Sequence, residues 1–151
     1  MLEHVWEAAP NIKWVHSFFA GVDALVPFIA HRLAGTDVPL TNGKGAFSAS
    51  LAEWVMTAVL HFNKQVPRIL QNHADKKWEK FVMNTVAGKT LGIVGYGDIG
   101  QSCARVAKLA FGMRVIALRN NPDQPSPHAD EVLGPDRKLD LFSKSDFVVC
   151  A

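Results

Sequence analysis

The chain has 151 residues, of which 48% are hydrophobic and 20% charged, with sixteen Lys plus Arg against fourteen Asp plus Glu for a formal charge of +2. That composition suits a folded domain with a sizeable core and excludes disordered and fibrous classes. The near balance of charge leaves no broad basic face for nucleic acid, and no apolar run approaches the ~20 residues that span a bilayer.

The start, Met1-Leu2-Glu3-His4, lacks the basic-then-apolar order of a secretory signal. Cys103 and Cys150 lie in apolar segments without a Cys-x-x-Cys or a nearby His pair, so neither a disulfide framework nor a metal site is expected. The default reading is reduced thiols and a cytoplasmic location.

Ile12 to His16 alternates apolar and polar residues, as a half-buried strand does, and enters the small-residue loop Ala20-Gly21-Val22-Asp23. Val22 to Leu33 has near-helical spacing that Pro27 limits to a short or kinked helix, and Val38 to Thr41 reads as a second short strand. Leu51, Trp54, Val55, Ala58, Val59, Phe62 and Val66 then mark one long helix, with Ser50-x-x-Glu53 as a capping box and Pro67 as its end. Residues 67–87 are polar and mixed, with Trp78 and Phe81 as isolated anchors, and read as a connecting segment.

From Gly88 onward strands and helices alternate. Thr90 to Val94 is an apolar strand, Ile99, Cys103, Val106, Ala107 and Ala110 mark a helix face, and Val115 to Leu118 is a second strand, which predicts a parallel pair joined by a crossover. Glu131 to Leu133 is a third strand and Leu139 to Phe142 a helical piece. Asp146 to Ala151 leads into an apolar strand of the buried, parallel type.

Gly95-Tyr96-Gly97-Asp98-Ile99-Gly100 fits G-x-G-x-x-G between an apolar strand and an amphipathic helix, the setting of a dinucleotide site. There Gly95 permits the tight turn, Gly97 lets the backbone approach a pyrophosphate, and Gly100 lets helix pack on strand. Asp98 and Ile99 supply part of the helix start on which phosphate sits. An NAD site places Asp or Glu about eighteen residues beyond the last glycine. Here Leu118 and Arg119 occupy that place, so a 2′-phosphate would meet a charge-assisted partner, which favours NADP over NAD. Arg119 as a solvated strand-end charge, or stacked on adenine, suits either cofactor.

Trp14 to Asp23, then Ala52-Glu53 on the long helix, then Gly88 to Gly100, taken together, resemble the D-isomer-specific 2-hydroxyacid dehydrogenases. The resemblance runs from about residue 10 to Ala151. It implies an α/β architecture: residues 1–66 as part of a flavodoxin-like substrate domain with an interdomain helix over 48–66, and residues 88–151 as the first half of a Rossmann-like nucleotide-binding domain. The parent activity it implies is hydride transfer between a nicotinamide cofactor and a small 2-keto or 2-hydroxy acid, with glyoxylate or hydroxypyruvate suggested by Arg119.

The resemblance also assigns Ala20, Gly21 and Val22 to a loop whose N–H groups hold the substrate carboxylate, and places Ser48 near the cofactor. Without it, the loop is an ordinary strand-to-helix turn, Ser48 part of a helix start, and Glu53 a capping residue. The family's catalytic arginine, acidic residue and histidine match no position in this chain. His16, His61 and His128 read as surface or packing residues, so the chain alone is expected to be inactive. A non-catalytic nucleotide-binding or regulatory module of the same family is the alternative, and a methyltransferase glycine loop a more distant one. Homodimerisation through Trp54 and the Leu51 to Val66 face is a further expectation.

Overall fold

A computed structural model describes residues 2–151, with side chains from His4 onward. Met1 lies outside them. The chain forms two compact units that divide between Phe47 and Ser48.

In the first unit, helix α1 (Leu2–Ala8) precedes strand β1 (Val15–Ser17), a 3-10 turn (Asp23–Leu25), the single turn α2 (Val26–Phe28), a π-helical stretch (Ile29–Leu33) and strand β2 (Leu40–Asn42). The kinked helix expected around Pro27 thus becomes three short pieces, with Pro27 in the first turn of α2, where a missing N–H costs nothing. Strands β1 and β2 are parallel, Val15 facing Leu40 and Ser17 facing Asn42. Trp6 meets Phe28 edge to face, and Arg32 pairs with Glu7 at 2.5 Å, which ties α1 to the π-helical stretch.

The second unit begins with α3 (Ser48–Asn63) and α4 (Val66–Ala74) and continues through β3 (Thr90–Val94), α5 (Asp98–Phe111), β4 (Arg114–Leu118), β5 (Glu131–Leu133), a 3-10 turn (Pro135–Arg137), α6 (Lys138–Lys144) and β6 (Phe147–Cys150). Its four strands are all parallel, in the order β5-β4-β3-β6. This is the α/β, parallel-sheet arrangement that the alternation of strands and helices predicts. Leu91, Ile93, Val115 and Ala117 from the sheet meet Cys103, Ala104 and Ala107 of α5, and α3 adds Ala52, Met56 and Val59 to the same core. Leu141 of α6 joins Ile116 and Leu133 in a second cluster.

Five local expectations are corrected. Helix α3 begins at Ser48, so Ser50 and Glu53 lie within its first turns and form no capping box. Its end is set by Gln65, held at φ 52, and Pro67 opens α4 rather than closing α3. The stretch read as a polar connection therefore holds a helix, stabilised locally: the Arg68 guanidinium lies 4.2 Å from the Phe81 ring centroid and bonds Glu79, whose carboxyl it holds down at about 2 with help from Asn72. Trp78 anchors nothing, being 90% exposed. Strand β6 is also not fully buried. It pairs with β3 alone, so Phe147 and Val149 are half-buried while Val148 and Cys150 face outward.

Two aspartates lock the strand entries. Asp146, just before β6, accepts the Thr90 N–H at 2.8 Å and pairs with Lys89 at 3.2 Å. Asp130, just before β5, accepts the Val115 N–H at 2.8 Å and pairs with Lys108 at 2.6 Å. The Thr90 N–H, then Lys89, hold the Asp146 carboxyl below the usual range. Burial, the largest single influence on Asp130, pushes it up, but Lys108 and the Val115 N–H together bring it below its ordinary value. A carboxyl whose folded value lies below its unfolded one, about 3.9, stabilises the fold above that pH and loses this contribution as pH falls through the folded value. Urea unfolding between about pH 5 and about pH 3 should show wild-type stability falling more steeply than that of an Asp130→Asn, Asp146→Asn double variant. Equal slopes would show that these carboxylates do not carry the acid sensitivity.

Candidate functional site

The glycine loop connects β3 to α5 at the carboxyl ends of the parallel strands, where open α/β sheets bind ligands. Each glycine answers a different constraint. Gly95 has φ +92, and a Cβ there would collide with the Ala151 carbonyl. A Cβ on Gly100, inside the first turn of α5, would strike the Gly95 carbonyl and lie 3.1 Å from Ile93 Cγ2, so its absence lets the helix close on the strand. Gly97, the N-cap of α5, has φ −81, and a Cβ there would meet nothing within 4 Å. The fold itself therefore leaves room above Gly97, beside the first N–H groups of α5, which have no acceptor within the helix.

That room is part of a cleft of about 790 Å³ whose walls include Gly95, Tyr96, Gly97, Arg119, Lys138 and Ala151. None of its lining residues is Asp or Glu. Arg119 follows β4, and its N–H donates to the Leu133 carbonyl at 3.1 Å, which brings the end of β5 alongside. Its guanidinium donates to Gln124 Oε1, to Ser126 Oγ at 3.1 Å and to the Pro125 carbonyl at 3.3 Å, so the charge is held by neutral acceptors. Asp123 does not line the cleft; its N–H is turned back onto Asn121 Oδ1.

Among the other residues singled out from sequence, Asp98 and Ser48 are joined. The Ser48 hydroxyl, at the start of α3, donates to the Asp98 carboxylate in the first turn of α5. Neither lines the cleft, nor does Ile99, which faces an apolar groove beside α3 and β6. Ala20, Gly21 and Val22 belong to the first unit. There the Ala20 carbonyl accepts Asn42 Nδ2–H at 2.7 Å, the Gly21 Cβ position lies 3.0 Å from Asp23 Oδ2, and Val22 caps the 3-10 turn. His16 Nδ1 lies 2.8 Å from Thr41 Oγ1, and His61 stacks edge to face on Phe62.

Three wall residues escape sequence reasoning. Tyr96 occupies a variable place in the glycine pattern yet is 2% exposed, and its hydroxyl donates to the Pro127 carbonyl at 2.5 Å. Burial pushes its ionisation up to about 12, against a lowering influence from Arg119. An aromatic residue inside a tight loop is the signal that could have found it. Lys138 stands at the start of α6, where the sequence offers only a charge before an amphipathic helix. Ala151 forms a wall because β6 lies beside β3, which is a matter of topology.

Comparison with known proteins decides the family. The model of the "D-isomer specific 2-hydroxyacid dehydrogenase, NAD binding domain" matches residues 56–151. The chain belongs to the D-isomer specific 2-hydroxyacid dehydrogenase family. Similar proteins in this family include a hydroxypyruvate reductase from Thermotoga maritima, 32% identical over 94% of this chain and 44% of the relative, and a glyoxylate reductase from Thermococcus kodakarensis, 31% identical over 97% and 45%. Among solved structures, a family member from Aeromonas salmonicida superposes with a TM-score of 0.81 at 26% identity, covering 99% of this chain and 46% of its own. An NADPH-dependent glyoxylate/hydroxypyruvate reductase from Sinorhizobium meliloti, in complex with NADP and sulfate, gives 0.75 at 27% identity, covering 97% and 44%. The chain spans a little under half the length of these relatives.

The family's NAD(P) cofactor fits the residues present: the open space over Gly97, the helix-start N–H groups and an acid-free cleft all suit a polyphosphate. The second and third glycines of the loop separate binding from folding. Gly97→Val should leave urea-unfolding stability within about 1 kcal/mol of wild type while abolishing dinucleotide binding in a fluorescence titration. Gly100→Val, driven into Gly95 and Ile93, should cost roughly 1–3 kcal/mol of stability. A Gly97 variant that binds normally would contradict the cradle.

Proposed function

We propose that this chain forms the NADP-binding portion of an oxidoreductase that interconverts a small 2-keto acid and its 2-hydroxy acid. The nicotinamide, when bound, supplies the hydride. The observation that carries this reading is the cleft at the strand ends, lined by no Asp or Glu side chain, in which Arg119 stands where an NAD site would place a carboxylate.

Within it, Gly95 and Gly97 shape the cradle, and the N–H groups of Asp98, Ile99 and Gly100 face phosphate at the start of α5. Ser48 acts indirectly, holding the Asp98 carboxylate to α3. Arg119, pre-oriented by Gln124, Pro125 and Ser126, receives the 2′-phosphate. The backbone N–H groups of Ala20, Gly21 and Val22 hold the substrate's carboxylate, since a small-residue loop can present bare N–H groups to an anion. Glyoxylate and hydroxypyruvate are the substrates of choice, in keeping with the names of the relatives from Thermotoga, Thermococcus and Sinorhizobium.

No described helix is long and apolar enough to cross a membrane, and we place the protein in the cytoplasm. Self-association is assigned to the outer face of α3, where Trp54 and Phe62 are 70% and 69% exposed while Ala52, Met56 and Val59 are turned into the core.

Fluorescence titration of the chain should show NADPH binding more tightly than NADH. Arg119→Ala should remove that preference by weakening NADPH about tenfold and leaving NADH nearly unchanged. Preference of the wild type for NADH would overturn the assignment of Arg119.

A further inference from the structure

The cationic groups of the segment from β5 through α6 are unequally neutralised. Glu131 alone accepts Arg114 at 2.9 Å, Lys144 at 2.8 Å and Arg137 at 3.3 Å, and Arg137 also pairs with Asp140 at 2.7 Å. Lys138, one residue beyond Arg137, takes part in none of the ion pairs or side-chain hydrogen bonds among the described residues. It lies on the wall of the cleft that also holds Arg119. The two are brought to one cleft by the sheet: Leu118 is in register with Leu133, the Arg119 N–H bonds the Leu133 carbonyl, and the chain passes from there through Gly134 and a 3-10 turn to Lys138.

Their chemistry is complementary. A guanidinium has five N–H donors, and three hydrogen bonds already link that of Arg119 to Gln124, Pro125 and Ser126. It therefore offers a fixed charge with few remaining donors. Lys138 offers three N–H donors on a flexible stem. Because no Asp or Glu side chain lines this cleft, no acidic side chain competes with an entering anion for either charge.

We propose that Lys138 is a second determinant of dinucleotide choice, closing with Arg119 on a phosphate monoester at the 2′ position of the adenosine ribose. This deepens the reading of the cleft as an NADP site and rests on it. Arg119 sets the position of the phosphate and Lys138 supplies donors that Arg119 has engaged elsewhere. The ribose hydroxyl of NAD, being neutral, gains little from either.

Calorimetric titration of the full chain with NADP, NAD, adenosine 2′,5′-bisphosphate, adenosine 5′-monophosphate and inorganic phosphate tests this. Lys138→Met should weaken NADP and the bisphosphate about fivefold and leave NAD and the monophosphate unchanged, and Lys138→Arg should restore most of the loss. Raising ionic strength should erode the difference between wild type and Lys138→Met. Loss of NADP and NAD affinity together, or of neither, would overturn the role of Lys138 while leaving the dinucleotide site standing. Failure of the wild type to bind either dinucleotide would overturn the site and the role of Lys138 together. Equal weakening of inorganic phosphate and the bisphosphate would reduce Lys138 to a general anion contact and likewise overturn the proposal.

Discussion

The close approach of α5 to β3 governs the second unit. It depends on Gly100, whose missing side chain leaves room for the Gly95 carbonyl and the Ile93 methyl group. The same helix face continues with Cys103, Ala104 and Ala107, all fully buried, and these small side chains let α3 bring Ala52, Met56 and Val59 against the same core. A helix held that near the sheet has its N-terminus fixed over the strand ends. The Ser48 to Asp98 hydrogen bond secures this end from the α3 side. Site and core thus share a cause, and the glycines of the loop are continuous with the row that permits packing.

Charge is distributed to match. Asp130, Asp146 and Glu131 take up Lys89, Lys108, Arg114, Arg137 and Lys144 at the strand entries and on the flank of α6. Such exposed pairs contribute little individually to stability. Their arrangement engages these cations with Asp and Glu side chains, while Arg119 and Lys138, on the cleft, pair with no Asp or Glu side chain among the described residues. A chain of formal charge +2 can in this way concentrate positive potential where an anion enters.

What was legible in the sequence follows from what is local. The strand-helix-strand passage from Thr90 to Leu118 declared itself because apolar runs, glycine spacing and helical periodicity all lie within one continuous stretch. The capping box at Ser50 and Glu53 does not form, since the helix begins two residues earlier, at Ser48, whose hydroxyl bonds Asp98 of α5. Pro67, read as the end of the long helix, opens the next one instead: a proline serves either place, and the left-handed Gln65 decides. Arg119 could be singled out from its place after β4. Its neutral partners, and the arrival of Lys138 at the same cleft, arise from the pairing of β4 with β5 across a loop that carries no periodic signal.

Tyr96 is the chain's one tyrosine. This residue of the glycine loop is buried and its hydroxyl is tied to Pro127, next to the segment that orients Arg119. The chain therefore carries a native chromophore at the junction of the glycine loop and the segment that holds Arg119. The alkaline ultraviolet transition of that single phenol reports when this junction opens, without a label and without overlap from any other tyrosine.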